Sequence, residues 1–231
     1  MKADKEFWVK QIGEDWTNEL STFLKSNGQS LIDELNNAYE NSLVYPRRKN
    51  VFRAFRETSY LEARVLILGQ DPYYNGTATG IAFGNEFRDI RLPSPSIMAI
   101  VNNLEKVYNV KIDHSKFDWS LKSWCSQGVL MLNSALTVET FTANSHSNMW
   151  KSFIEAVVKS LQSKPRFAFM FLGSKAKAFS KYTDMSNHMV TTFEHPAAAL
   201  RNKRDWECPH FVTINEYLKF CKTTPIQWIN Q

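Results

Sequence analysis

Four short apolar runs, each ending in polar residues, constrain this chain more than any other feature. They are Arg64–Leu68, Gly128–Leu132, Phe167–Leu172 and Met189–Phe193, and they are rich in β-branched or aromatic residues. Runs of this length and type predict buried strands. Apolar positions at helical spacing predict helices between them, over Pro95–Tyr108, Asn148–Leu161 and Ser174–Tyr182, and a last one over Pro209–Cys221. Ahead of the first strand, helical spacing runs from about Glu6 to Leu24 and again from Ser30 to Tyr39. Buried strands alternating with helices predict an α/β fold: a central four-stranded, mainly parallel sheet with helices on both faces. One domain is expected over residues 1–231, with residues 1–42 as a helical cover. No internal repeat or linker interrupts it.

The residues immediately after each run carry the chemistry. Gly69-Gln70-Asp71 come after the first, Asn133-Ser134 after the second, Gly173-Ser174 after the third and Glu194-His195-Pro196 after the fourth. Ligands of open parallel sheets bind outside the carboxyl ends of the strands. Taken singly, each residue has an ordinary structural use as a helix cap, a turn residue or a satisfied core histidine. Four at equivalent positions point to a site.

The residue types narrow the reaction. Asp71 offers a nucleophile, a general base or a charge that stabilises a cation; His195 offers an acid, a base or a donor to a developing anion. Asn133 presents a donor beside an acceptor, which suits the edge of a base or an amide. Tyr73 and Phe83 offer flat faces to a planar ligand. No Gly-x-x-x-x-Gly-Lys, Gly-x-Ser-x-Gly or His-Glu-x-x-His is present. The set suits a flat, hydrogen-bonding substrate better than a phosphate or a metal.

Charge and cysteine usage bound the setting. With 28 Lys and Arg against 23 Asp and Glu the net charge is +5, a mild excess compatible with a polyanionic partner. The basic stretches Tyr45–Lys49 and Arg201–Arg204 read first as solvated surface. Cys125, Cys208 and Cys221 are odd in number and lack CxxC spacing, against a disulfide framework and for a reducing compartment. The charged N-terminus lacks the apolar core of a secretion signal, and no apolar run approaches the roughly 18 residues of a membrane span. An intracellular location is expected, cytoplasmic, or nuclear in a eukaryote or its virus.

Gly69-Gln70-Asp71-Pro72-Tyr73, with Gly80-Ile81-Ala82-Phe83 after it, resembles the water-activating loop of the uracil-DNA glycosylases. Ser94-Pro95-Ser96-Ile97 resembles their proline- and serine-rich phosphate loop, and Gly128–Asn133 with Leu136-Thr137-Val138 their uracil-reading strand. Ala143–His146, Phe171-Leu172-Gly173-Ser174 and the span from His195-Pro196 to Cys208-Pro209-His210-Phe211 come in the family's order. The likeness runs from about Val44 to Trp228.

The resemblance implies a flipped uracil in single- or double-stranded DNA and hydrolysis of its N-glycosidic bond without metal or cofactor, leaving an abasic site for base-excision repair. It assigns Asp71 to the water and to the charge developing on the sugar, and His195 to uracil O2. It assigns Asn133 to the O4 and N3–H edge, Phe83 to stacking, Tyr73 to exclusion of the thymine methyl, and the backbone near Gln70 to O2. Ser96 and Ser174, at helix N-termini, would hold the flanking phosphates. A monomer is implied, and a DNA-mimicking protein inhibitor is a further partner to expect.

Two places depart from the family pattern. Tyr74 stands where a histidine usually helps position the water, and the segment after it is one residue shorter. The last loop reads His195-Pro196-Ala197-Ala198-Ala199-Leu200 in place of His-Pro-Ser-Pro-Leu. Ala197 lacks a phosphate-binding hydroxyl. Ala199 takes the place of the wedge that props the duplex open, with Leu200 and Arg201 as substitutes. Slower flipping from duplex and a preference for single strands are the resulting expectations. Two other readings stay open: a DNA-binding module that kept the fold while activity waned, and an unrelated α/β hydrolase using Asp71 and His195. The retained Tyr73, Phe83 and Asn133 oppose the hydrolase. His146 reads as a loop holder, and His114, His188 and His210 as surface or core histidines. Trp119, Trp124, Trp150 and Trp228 read as core anchors; Trp206, beside the basic run, is structural or touches DNA.

Overall fold

The computed structural model describes residues 2–85 and 93–229. Its strands in chain order are β1 (Val44–Tyr45), β2 (Val65–Gly69), β3 (Val129–Asn133), β4 (Val138–Glu139), β5 (Ala168–Leu172) and β6 (Met189–Phe193). Four of them form a parallel sheet in the order β3-β2-β5-β6, while β1 and β4 form a small antiparallel ribbon. Before the sheet come α1 (Lys5–Ile12), α2 (Glu14–Glu19), α3 (Ser21–Asn41) and α4 (Arg53–Glu57). Within and after it come α5 (Pro95–Tyr108), α6 (Lys122–Cys125), α7 (Ser147–Gln162), α8 (Ser174–Lys177), α9 (Pro196–Arg201) and α10 (His210–Phe220).

Strand alternation splits the core in two. Leu66, Leu68, Leu130, Leu132, Phe169 and Phe171 face one cluster, with Trp8, Trp16 and Leu31 from the N-terminal helices and Phe153 and Val157 from α7. Val65, Ile67, Val129, Met131, Met170 and Leu172 face the other, with Ile97 and Leu104 of α5 and Phe211 and Ile214 of α10. Both faces are therefore covered, which is why the strands read as continuous apolar runs. β6, at the sheet edge and half-buried along its length, has room for Thr191 and Thr192.

Four of the buried tryptophans anchor this arrangement through their N–H groups as well as their rings. Trp16 donates to the Thr58 carbonyl (2.9 Å), Trp124 to Trp228 (3.0 Å), Trp228 to Phe211 (3.0 Å) and Trp150 to the Thr137 hydroxyl (2.7 Å). Leaving such a donor unmade costs about 1–3 kcal/mol, so these are anchors with fixed orientation. His146 likewise bonds Thr137 Oγ1 through Nδ1 at 2.8 Å and holds its loop. His188 accepts the Phe167 N–H through Nδ1 at 3.1 Å.

The helices differ from expectation at several places. Periodicity carries one helix from Glu6 to Leu24, but the chain breaks at Gly13, whose φ is 88°, and again at Leu20. The gap expected before Ser30 is instead inside α3. There a Cβ on Gly28 would lie 2.9 Å from Trp8 Nε1, so that glycine permits close packing within a continuous helix. Ser174–Tyr182 divides into α8 and a 3-10 turn at Ser180–Tyr182. Pro196–Arg201, expected as a loop, forms α9, with His195 as its N-cap and Pro196 at its first position. No described helix is long and apolar enough to cross a membrane.

Candidate active site

Register brings the strand ends level. Gly69 pairs with Asn133, Leu68 with Phe171 and Leu172 with Phe193. The chain leaves β2 for β3 on one side and returns to β5 on the other, so β2 ends at the switch point where open sheets form their crevice. A cavity of about 330 Å³ opens there, lined by Gln70, Asp71, Tyr73, Tyr74, Phe83, Ser96, Asn133, His195 and Arg201 among others. The Gln70 carbonyl accepts both the Ala135 N–H (3.1 Å) and the Ser134 hydroxyl (2.9 Å). That pair of bonds ties the end of β2 to the end of β3 and fixes Asp71 relative to Asn133.

The Asp71 carboxylate is held on one side only. Its Oδ2 accepts the Asn144 backbone N–H at 2.9 Å and the Gln70 side-chain amide at 3.2 Å. Gln70 is itself held by Asn144 Oδ1 at 3.2 Å. The other oxygen, Oδ1, is buried and bonds to nothing in the described protein. A buried acceptor without a protein partner costs stability, so its persistence in a cleft points to use.

His195 lies beyond the Phe83 ring, with ring centroids 5.5 Å apart and planes tilted by 36°. Its Nδ1 accepts the Ala197 backbone N–H at 3.2 Å, so the neutral ring carries its proton on Nε2. Burial, with the Arg201 guanidinium adding to it, lowers its pKa to about 4. At neutral pH the cleft thus holds an uncharged N–H donor. Gly173 permits this placement: its φ is 92° and a Cβ there would sit 3.0 Å from His195 Cβ. The Trp206 indole donates to the Glu194 carbonyl at 2.8 Å and is buried, so it steadies the segment entering His195.

The depressed value has a stability consequence. The folded pKa lies below the roughly 6.5 of an unfolded histidine, so the unfolded chain binds the extra proton as pH falls. Stability from this group is complete above pH about 6.5 and is lost as pH falls toward 4. His210, also lowered by burial, acts with the same sign. His195→Asn should therefore show a shallower fall of the urea midpoint between pH 7 and 4 than the parent, though not a flat one. Parallel curves would mean that His195 does not resist protonation in the fold.

The pocket walls are set by what is missing as much as by what is present. Gly69 carries no Cβ; one placed there would lie 2.6 Å from Asn133 Oδ1 and 3.0 Å from Phe83 Cζ. Phe83 is buried and adopts φ 62°, which aims its ring into the cleft from a strained turn. The Ala82 N–H bonds the Met131 carbonyl at 3.1 Å and docks that turn on β3. The Tyr73 hydroxyl donates to the Phe83 carbonyl at 3.3 Å, and burial raises its pKa, so the ring is an uncharged wall. Ser96 lies in the first turn of α5, beside Pro95 and the N-cap Ser94.

Three expected site residues lie elsewhere. Ser174 opens α8 as an exposed residue outside the cavity lining. Leu200 is 38% exposed on α9 and does not line the cavity either. Ala199 requires a correction as a wedge candidate: it is 0% exposed, packed in the core by the turn of α9. The exposed Leu200 and the cavity-lining Arg201 remain. The sequence gives no obvious role to Asn144, whose main-chain N–H holds Asp71; its only signal is an asparagine able to adopt φ 65°. The room that Gly69 leaves for Asn133 and Phe83, and the apolar lining formed by Val51, Leu132 and Leu136, are roles visible only in the structure.

A model of the Uracil DNA glycosylase superfamily matches residues 55–219 of this sequence. A uracil-DNA glycosylase of Fusobacterium nucleatum is 35% identical over 224 residues, 95% of this chain and 97% of the relative. One from Sinorhizobium medicae is 36% identical over 228 residues, 97% of this chain and 90% of the relative. The crystal structure of mimivirus uracil-DNA glycosylase superposes with a TM-score of 0.81 over 93% of this chain and 86% of that one. Its identity is 24%, a likeness of fold. A tyrosine variant of mimivirus UNG in complex with UGI superposes with a TM-score of 0.77 at 25% identity, over 91% and 87% of the two chains.

Proposed function

The chain belongs to the uracil-DNA glycosylase superfamily, and on that premise we propose that the cleft at the carboxyl edge of the sheet is where it releases uracil from DNA. The reaction is hydrolysis of an N-glycosyl bond: the N1–C1′ bond breaks and its electrons leave with the base as uracil anion, water adds to C1′ and gives up a proton, and the anion takes up a proton from solvent. The products are uracil and an abasic site.

One observation carries the assignment of roles. A carboxylate with one oxygen bonded and one unpartnered shares a 330 Å³ cleft with a neutral imidazole N–H, between aromatic and amide walls. In this reading Asp71 Oδ1 accepts from the attacking water, and its charge favours the cation that develops on the sugar. His195 Nε2–H donates to uracil O2 as the base becomes an anion. Preorganised donors aimed at developing charge are the largest catalytic term in many enzymes. A neutral donor suits the task, because it strengthens its bond to the anion without first having to bind a proton.

Specificity comes from the walls. The Asn133 amide pairs with O4 and N3–H of uracil; cytosine offers N4–H2 and a bare N3 there, leaving both groups mismatched. Phe83 stacks on the base. Ser96 at the start of α5, and Ser174 from its exposed position on α8, would take the flanking phosphates. Leu200, exposed beside the cleft-lining Arg201, is proposed as the wedge, and backbone N–H groups near Gln70 as further partners of O2. A single chain supplies every group named, so a monomer suffices. Tyrosine variants of mimivirus UNG, a fold neighbour, form complexes with UGI, which supports an inhibitor protein as a further partner; in this reading it mimics DNA and takes the same cleft.

The decisive test is uracil release from a labelled single-stranded oligonucleotide, read by alkali cleavage, with thymine and cytosine oligonucleotides alongside. Release from uracil alone is expected. DNA binding without release would leave a binding module. A second experiment probes the methyl filter: Tyr73→Ala opens the wall where a thymine methyl would sit. One methyl-sized difference in a pocket is worth about 10- to 200-fold in discrimination. Tyr73→Ala should lower the uracil-to-thymine ratio by that order; an unchanged ratio would place the filter elsewhere.

A further inference from the structure

Two aromatic rings, one lining the cleft and the other packed against it, have no full use in the uracil reading. Tyr74 lines the cavity and is 44% exposed. Phe141 is 77% exposed and meets it edge-on, with centroids 5.9 Å apart and planes 61° apart. Phe141 adopts φ 56°, a conformation that glycine or asparagine would take at less cost. An exposed phenylalanine in that conformation gains the fold little, and Tyr74 is its one ring neighbour among the described residues.

The turn that carries Phe141 is held by hydrogen bonds. Both the N–H and the hydroxyl of Thr140 donate to the Leu43 carbonyl at 2.9 Å, and the Thr142 N–H donates to Glu139 at 3.1 Å. The turn therefore rests on the small β1–β4 ribbon. From Phe141 the chain passes through cavity-lining Ala143 to Asn144, whose N–H holds Asp71. The ring thus lies three residues along the chain from Asn144, against the cavity-lining Tyr74. The ribbon continues into Arg47 and Lys49, exposed cations on the same strand connection.

We infer that Tyr74 and Phe141 form a stacking platform for the unpaired nucleobase next to the flipped uracil in single-stranded DNA. This deepens, and rests on, the uracil reading of the cleft. A base held in a duplex stacks on its own neighbours, whereas an unpaired one has a free face for an aromatic ring; such stacking is tolerant of sequence because every base has a π-face. The platform accordingly favours single-stranded substrate through binding, separately from any weakness of the wedge on α9.

The test uses single-stranded uracil oligonucleotides in which the neighbour on one side or the other is a baseless tetrahydrofuran residue. For the wild type, removing the base on one side should raise KM about fivefold or more with kcat little changed. Phe141→Gly, which suits φ 56° and removes only an exposed ring, should show the raised KM on the intact oligonucleotide and ignore the deletion. Phe141→Trp should restore the dependence. Equal sensitivity in wild type and Phe141→Gly, or none in the wild type, overturns the platform. A 2-aminopurine neighbour gives a readout independent of cleavage: its fluorescence should be quenched on binding the wild type and not the glycine variant. If no uracil is released from any oligonucleotide, the cleavage reading alone has failed. Quenching then supports the platform, and its absence overturns it.

Discussion

Asp71→Asn should fold as well as the parent and lose uracil release by about 10²- to 10⁴-fold, the range for a positioned acid–base group. The geometry dictates how. Oδ2 receives two donors, the Asn144 N–H and the Gln70 amide, so that position needs an acceptor. An asparagine satisfies it with its carbonyl oxygen and must then point its NH2 where Oδ1 now lies. The cleft would present a donor in place of an acceptor, and no charge to favour the sugar cation. Stability should hold or rise, because a neutral amide costs less to bury there than a carboxylate, although its NH2 has no more of a protein partner than Oδ1 has now. Single-turnover cleavage and a thermal melt on the same sample check both halves. A loss under tenfold would mean that Asp71 is not the group that positions the water.

Much of the fold is legible in the sequence because the sheet is covered on both faces. Val65–Gly69 and Val129–Asn133 are buried at every position, so their apolar runs stand out without alternation. The start of α5 is legible from Pro95 at its first position, and the helix closes at Asn109 in the left-handed conformation. The N-terminal helices depart from their periodicity at two glycines with opposite uses. Gly13 breaks a helix through its positive φ, and Gly28 continues one because Trp8 needs the space. Sequence spacing cannot tell those apart.

The site divides in the same way. Asp71, Asn133 and His195 are legible because parallel strands carry their next residues to one edge. Asn144 is not, since its contribution to Asp71 is a main-chain N–H that any residue but proline supplies. Ala199 is misplaced by a reading that expects a loop where α9 turns it into the core. The signals for α9, a capping His195 and Pro196 after it, are present in the sequence but invite a chemical reading alone.

Gly69→Ala puts the argument about the pocket to its hardest test, because it alters no group that touches the reaction. Gly69 is a strand residue outside the positive-φ glycines, so alanine meets no backbone objection. The cost is in the cleft: the new Cβ would lie 2.6 Å from Asn133 Oδ1 and 3.0 Å from the Phe83 ring. Asn133 is short and fixed at a strand end, and Phe83 sits on a turn docked to β3, so one or both must shift by a good fraction of an ångström. A displacement near 1 Å costs about 10²-fold in rate even when it arises outside the chemistry. Uracil release should fall by that order while the strand, the sheet and DNA binding persist. Discrimination against cytosine should fall with it, since Asn133 would no longer meet the base edge squarely. If rate falls and discrimination stands, Phe83 has moved and Asn133 has not. If neither changes, the amide does not read the base, and the specificity proposed for this cleft is wrong.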